Sequence, residues 1–223
     1  MHWLNWITLT VIILANYLVF IWVPLEKVMG AVQKIFYFHV ATAWVGFFAF
    51  FVVFIFSIFY LITKNERWDR YSAASAEIGV VFISIVILTG AIWGRAFWGQ
   101  WWTWDPRLTT SLVLWFIYIA YLLFRSAIEE REKKASLSAI LGIIGFLDVP
   151  VVWFSIRWWR TIHPNLMETG GKMAISPKMG VTLLLAILAF TLLYILLMTR
   201  IISLQKLADE IYRLKEEIRS HWI

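Results

Sequence analysis

Trp93-Gly94-Arg95-Ala96-Phe97-Trp98-Gly99-Gln100-Trp101-Trp102-Thr103-Trp104-Asp105-Pro106-Arg107-Leu108-Thr109 joins two apolar runs, residues 78–97 and 108–124. Five tryptophans fall within twelve residues, among two arginines and one aspartate. A soluble core has little use for that mixture, because each indole N–H wants a partner. A water–lipid boundary does, since one end of the ring is apolar and the other stays wet. Two readings of the stretch stand side by side: an aromatic belt at a helix end, and a flat apolar platform for a large planar ligand. The two glycines and the proline predict a break in regular helix. Asp105-Pro106 predicts a helix start, with Asp as cap and Pro in the first turn.

Outward from this stretch the chain reads as an all-α integral membrane protein. Its 223 residues are 61% hydrophobic and 15% charged, against about 45–50% and about 25% in soluble domains. A span needs roughly 20 apolar residues. Six stretches meet or approach that: 3–23, 38–62, 78–97, 108–124, 135–156 and 179–199. The first has no preceding Lys or Arg and no clear cleavage site, so it reads as an uncleaved span. No repeat of fixed period is visible. Residues 1–201 form the six-span domain. Residues 202–223 form an amphipathic helix, with Leu204, Leu207, Ile211, Leu214 and Ile218 on one stripe. That stripe fits an interfacial or self-packed helix, or a docking helix for a cytoplasmic partner.

Loop charge sets the expected orientation. Of the 20 Lys and Arg, 12 lie in residues 63–77, 125–134 and the tail from Arg200. The other eight, Lys172 among them, lie in residues 24–37, 95–107 and 157–178. The bias predicts cytoplasmic termini and an outer Trp-rich loop. The pI near 9.6 therefore reflects topology, and no nucleic acid partner is expected. The chain has no cysteine, which excludes disulfides, thiolate metal sites, thiol nucleophiles and covalent C-x-x-C-H haem attachment. No phosphate-binding Gly-x-x-x-x-Gly-Lys-Ser/Thr loop is present, so any ATP use belongs to a partner.

Of four histidines, two sit at the chain ends. His39 opens the second span, and His163 follows the fifth in Arg157-Trp158-Trp159-Arg160-Thr161-Ile162-His163-Pro164. Both fall on the side of the Trp-rich stretch. A boundary histidine can be a mere amphipathic anchor. Two of them beside an aromatic platform point to metal or haem ligation. Two histidines without Cys or a carboxylate cluster make a poor zinc site. They make a complete axial pair for haem iron, to which the porphyrin brings four nitrogens. Arg95, Arg107, Arg157 and Arg160 share that side, either snorkelling or pairing with propionates. Arg157 and Arg160 would share a face, with His163 beyond, if helix continues past Ile156. Asp148, inside the fifth run with Pro150, either pairs with an outer arginine or repairs the proline break.

Residues 93–109, Trp-Gly-x-x-Trp-Gly-x-Trp-Trp-x-Trp-Asp-x-Arg-Leu-Thr, resemble the WWD signature of the haem-handling membrane proteins of cytochrome c maturation. Six spans, the histidine before span two and Trp-Trp-x-Thr-x-His after span five resemble the haem exporter protein C branch, over nearly the whole chain. The resemblance implies a non-enzymatic role: binding non-covalent haem b at the outer face of the bacterial inner membrane and delivering it to a periplasmic haem chaperone. It implies ABC-type transporter subunits and a small accessory membrane subunit as further partners. It maps the axial ligands onto His39 and His163, the tryptophans onto Trp93, Trp98, Trp101, Trp102 and Trp104, and the aspartate onto Asp105. Arg107, Arg157 and Arg160 complete the expected haem-binding set from their position. The residues alone also admit a haem b electron-transfer subunit, though neither histidine is mid-span, or a non-haem scaffold subunit of a transporter.

Overall fold

The computed structural model describes residues 2–163 and 175–221. Pro164 and Lys172, named above, lie outside the described residues. Among the described residues, six helical segments are long and apolar enough to cross a membrane. The first is α1 (His2–Tyr17), extended by one π-helical turn over Leu18–Trp22. It stops where Val23 turns extended, just before Pro24, as the residue preceding a proline tends to do. A short 3-10 turn, Ala31–Gln33, leads into α2 (Lys34–Thr63). In the loop between, Glu26 accepts the N–H groups of Met29 and Val28 at 2.6 and 2.7 Å. These bonds hold its carboxyl below the ordinary carboxylate range.

Helix α3 (Glu66–Trp98) is longer than the apolar run that announces it. Its polar first third, expected as loop, is helical from the Asn65 cap onward, where Asn65 Oδ1 accepts the Arg67 N–H at 3.1 Å. Ser72, Ala73, Ala74, Ser75 and Ala76 are buried there, because small side chains let α3 lie close against α2. The serines keep their hydroxyls satisfied. Ser75 donates to the Ala49 carbonyl at 2.7 Å and accepts the Tyr194 hydroxyl at 2.8 Å. No water is at hand inside a bilayer to do this instead.

Helix α4 (Pro106–Ala127) follows the Trp-rich loop. The fifth span is two helices, α5 (Arg131–Phe146) and α6 (Asp148–Trp158). Pro150 has no N–H to give the carbonyl four residues back, and the ladder breaks at Leu147, whose N–H tightens onto Ile144 O at 3.1 Å. Asp148 pairs with none of the expected arginines. Its Oδ2 is buried with no hydrogen-bond partner among the described residues. The last helix, α7 (Pro177–His221), runs unbroken through residue 201. The amphipathic tail is thus a direct continuation of the sixth span.

Helix α2 is the centre of the bundle, packing against α3, α5 and α7, while α1 lies against α7. One core cluster gathers where Phe50 stacks on Tyr118, ring centroids 3.5 Å apart, with Val53, Ala76, Ile83 and Leu114. Asp69 and Arg125 pair at one end of the bundle, and Asp209 of α7 reaches Arg70 at 2.7 Å. The other end holds residues 23–30, 99–105 and 159–163.

Candidate functional site

His39 lies in the second turn of α2 and is 9% exposed. Its Nδ1 stands 3.0 Å from the Thr89 hydroxyl of α3. That hydroxyl gives its own proton to the carbonyls of Ile85 and Val86, at 2.7 and 3.2 Å. It is therefore an acceptor toward histidine, so Nδ1 carries the ring proton and Nε2 keeps a free lone pair. Gly90 leaves the ring its space, since a Cβ there would lie 3.2 Å from His39 Cε1. Trp93 packs edge-on to His39 with centroids 5.8 Å apart.

The Trp-rich stretch is helical for its first third. Gly94 does not break α3. It sits inside the helix, and a Cβ there would lie 3.2 Å from the Gln100 carbonyl. The break comes at Gly99, whose φ of 76° is open to glycine at no steric cost. Arg95 donates to the Gly99 carbonyl and ties that corner. Asp105 then caps α4, accepting the Arg107 N–H at 2.9 Å with Pro106 in the first turn. The same carboxylate accepts the Thr161 hydroxyl at 2.8 Å and the Ile162 N–H at 2.9 Å. The Arg107 guanidinium crosses to α6, donating to the Val152 and Trp153 carbonyls at 2.8 and 3.3 Å.

These bonds bring the segment after α6 over His39. The His39 and His163 ring centroids lie 6.5 Å apart, with planes inclined by 37°. Two metal–nitrogen bonds of about 2 Å each, in line with rings whose nitrogens stand roughly 1 Å off centre, put such centroids about 6 Å apart. Among the described residues no group of three or more His, Cys, Asp or Glu could hold a metal. A metal between these two rings must therefore bring its other ligands with it, as haem iron does.

A cavity of about 320 Å³ adjoins the pair. Trp93, Trp98, Trp101, Trp102, Arg107 and Arg157 line it together with both histidines. Trp104, Asp105 and Arg160 do not. Trp104 is 76% exposed and packs on Trp102 at 6.0 Å. Arg160 is left out because α6 ends at Trp158, with Trp159 extended. The shared helical face expected for Arg157, Arg160 and His163 therefore does not form. Arg157 instead lies over the Phe154 ring at 5.8 Å. The wall also includes Val40, Ala43, Trp44 and Phe47 of α2, which the sequence reading missed. Counted from Val40 they recur at i, i+3, i+4 and i+7, one face of the helix beside His39, and that spacing could have found them.

Fold and site define a class: a polytopic helical membrane protein with two neighbouring histidines beside an apolar cavity walled by tryptophan. Residues 1–219 match the family described as Heme exporter protein C. The chain is 34% identical over 176 residues to the Heme exporter protein C of Bradyrhizobium diazoefficiens, covering 78% of this chain and 66% of that one. It is 35% identical to the Escherichia coli K12 protein of the same name, over 76% of this chain and 69% of that one. It is also 34% identical to a putative cytochrome c biosynthesis ccmC-like mitochondrial protein of Marchantia polymorpha, over 82% of this chain and 80% of that one. The chain belongs to the Heme exporter protein C family, whose members are membrane components of cytochrome c biogenesis rather than enzymes.

Proposed function

We propose that this protein holds haem b non-covalently between His39 and His163 at the outer face of a bacterial inner membrane and hands it to a periplasmic haem chaperone for cytochrome c maturation. The observation that carries the reading is the pair of rings 6.5 Å apart beside an apolar cavity. Haem supplies a flat macrocycle, an iron with two axial positions and two propionates. The protein supplies two imidazoles, with Thr89 fixing His39 Nε2 toward the iron. Trp93, Trp98, Trp101 and Trp102 give indole surface for the macrocycle. Arg157 and Arg107 are the cavity-lining cations for the propionates. Trp101 and Trp104, 60% and 76% exposed, offer the chaperone an aromatic edge beside the bound cargo. ABC-type transporter subunits and a small accessory membrane subunit complete the expected assembly, and both termini face the cytoplasm.

The test is the absorption spectrum of the purified protein, oxidised and reduced. The wild type should show low-spin, six-coordinate haem. His39→Gly and His163→Gly each lose that signature, and added imidazole restores it by filling the vacated axial position. Unchanged low-spin spectra in both variants would overturn the ligand pair.

A further inference from the structure

We propose that Asp105 and Thr161 form a latch that positions His163, so that the aspartate of the Trp-rich stretch acts through the ligand-bearing segment and not by touching haem. This rests on the reading of His163 as an axial ligand. Asp105 is 9% exposed and is absent from the cavity lining, although Thr103 and Arg107 on either side belong to it. Both carboxylate oxygens are engaged. Oδ1 accepts the Arg107 N–H and the Thr161 hydroxyl, and Oδ2 accepts the Ile162 N–H.

Thr161 is the relay. Its hydroxyl accepts the His163 backbone N–H at 3.0 Å and donates to Asp105 at 2.8 Å. The direction is unambiguous, because an N–H can only donate and a carboxylate can only accept. A continuous chain therefore runs from the His163 backbone through Thr161 to Asp105 and on to the first turn of α4. The segment needs such an anchor. Helix α6 has ended at Trp158, so residues 160–163 have no helical ladder to hold them. Bonds to an ionised acceptor are the strong kind. Two motifs far apart in the chain, Trp-Trp-x-Trp-Asp and Trp-Trp-x-Thr-x-His, are thereby one hydrogen-bonded unit.

Capping and latching separate by substitution. Asn caps a helix as well as Asp, so Asp105→Asn keeps the α4 start. With the capping oxygen kept on the Arg107 N–H, the other oxygen becomes an NH2 that meets the Ile162 N–H donor to donor, and that strand of the latch is lost. Thr161→Val removes the relay, and Thr161→Ser keeps it. The experiment compares the purified full-length variants by haem spectrum and, without haem, by amide hydrogen exchange over residues 160–163. In Asp105→Asn and Thr161→Val we expect loss of low-spin character that added imidazole restores, and exchange faster by about tenfold. Thr161→Ser should match the wild type in both. Wild-type spectra and exchange in the first two variants would refute the latch. Faster exchange with an unchanged spectrum would also refute it, since the bonds would then hold the segment without serving the ligand. His163→Gly is the control. If it alone keeps the low-spin spectrum, the ligand reading fails, while the exchange data still report on the bonds.

Discussion

The Nδ1 of His39 faces the Thr89 hydroxyl, and that hydroxyl has already given its proton to backbone carbonyls of α3. One side chain thus selects the tautomer of the other. It also fixes the rotation of the ring, which sets the direction of the Nε2 lone pair. Partners of this kind typically contribute about tenfold to a hundredfold in metal affinity. Thr89→Val keeps the shape and removes the acceptor. Its haem should dissociate about ten to a hundred times faster than wild type, measured by transfer to an excess of apomyoglobin. Thr89→Ser should restore the wild-type rate. Equal off-rates in Val and Ser variants would show that the threonine does nothing for the ring.

Among the elements, α3 and α4 are joined far from the site by one ion pair. Asp69 sits in the first turn of α3 and Arg125 in the last turn of α4. Each therefore carries the charge its helix end favours. The bond is two-pronged, 2.6 and 2.9 Å, with side chains 19% and 14% exposed. Removing one partner strands the other in a partly desolvated place, at a cost of about 3 kcal/mol. Asp69→Asn or Arg125→Met should lower the unfolding midpoint in detergent, and the double variant should be less damaging than the sum. Additive losses would mean that the two charges act separately. The small residues 72–76 of α3 make a separate joint, with α2. It explains why a polar stretch is helical at all: it buys close approach to α2, and its hydroxyls find carbonyl partners there.

At the scale of the whole molecule, the loops divide into two ends. His39, His163 and the Trp-rich loop share one end with residues 23–30. The ion pairs of Asp69 and Asp209 mark the other. Helix α7, with 45 residues, is about 67 Å long at 1.5 Å per residue, against about 30 Å of hydrocarbon. It must project well beyond the bilayer. Asp209 turns one face of the projection toward Arg70 and Arg131, and the stripe from Leu204 to Ile218 lies on the opposite, exposed face. Because the chain has no cysteine, single cysteines report topology without background. Val28→Cys, 77% exposed in the wild type, should react with an impermeant maleimide on intact spheroplasts. Lys133→Cys should react only after permeabilisation. The same accessibility for both would refute the orientation drawn from loop charge.

Six spans, the exclusion of thiol chemistry and the two histidine candidates were legible in the linear chain. Each follows from composition or from hydropathy over a short window, which neighbours along the chain settle alone. The Asp105-Pro106 helix start was legible for the same reason, being a contact between residues two apart. The pairing of His39 with His163 was expected, but the distance and tilt at which the rings meet were not legible, nor was the bond between Asp105 and Thr161. Both depend on how α2, α4 and α6 pack, and on which face each helix turns inward. Local windows also misjudged the ends of elements. The polar start of α3 is helical because α2 receives its serines, and α6 stops at Trp158, beyond which Asp105 accepts the Ile162 N–H in place of a helical carbonyl. That substitution of a distant carboxylate for local hydrogen bonds parted Arg160 from Arg157 and set His163 over His39. Only the tertiary structure could decide it, because the competing partners are remote in sequence and close in space.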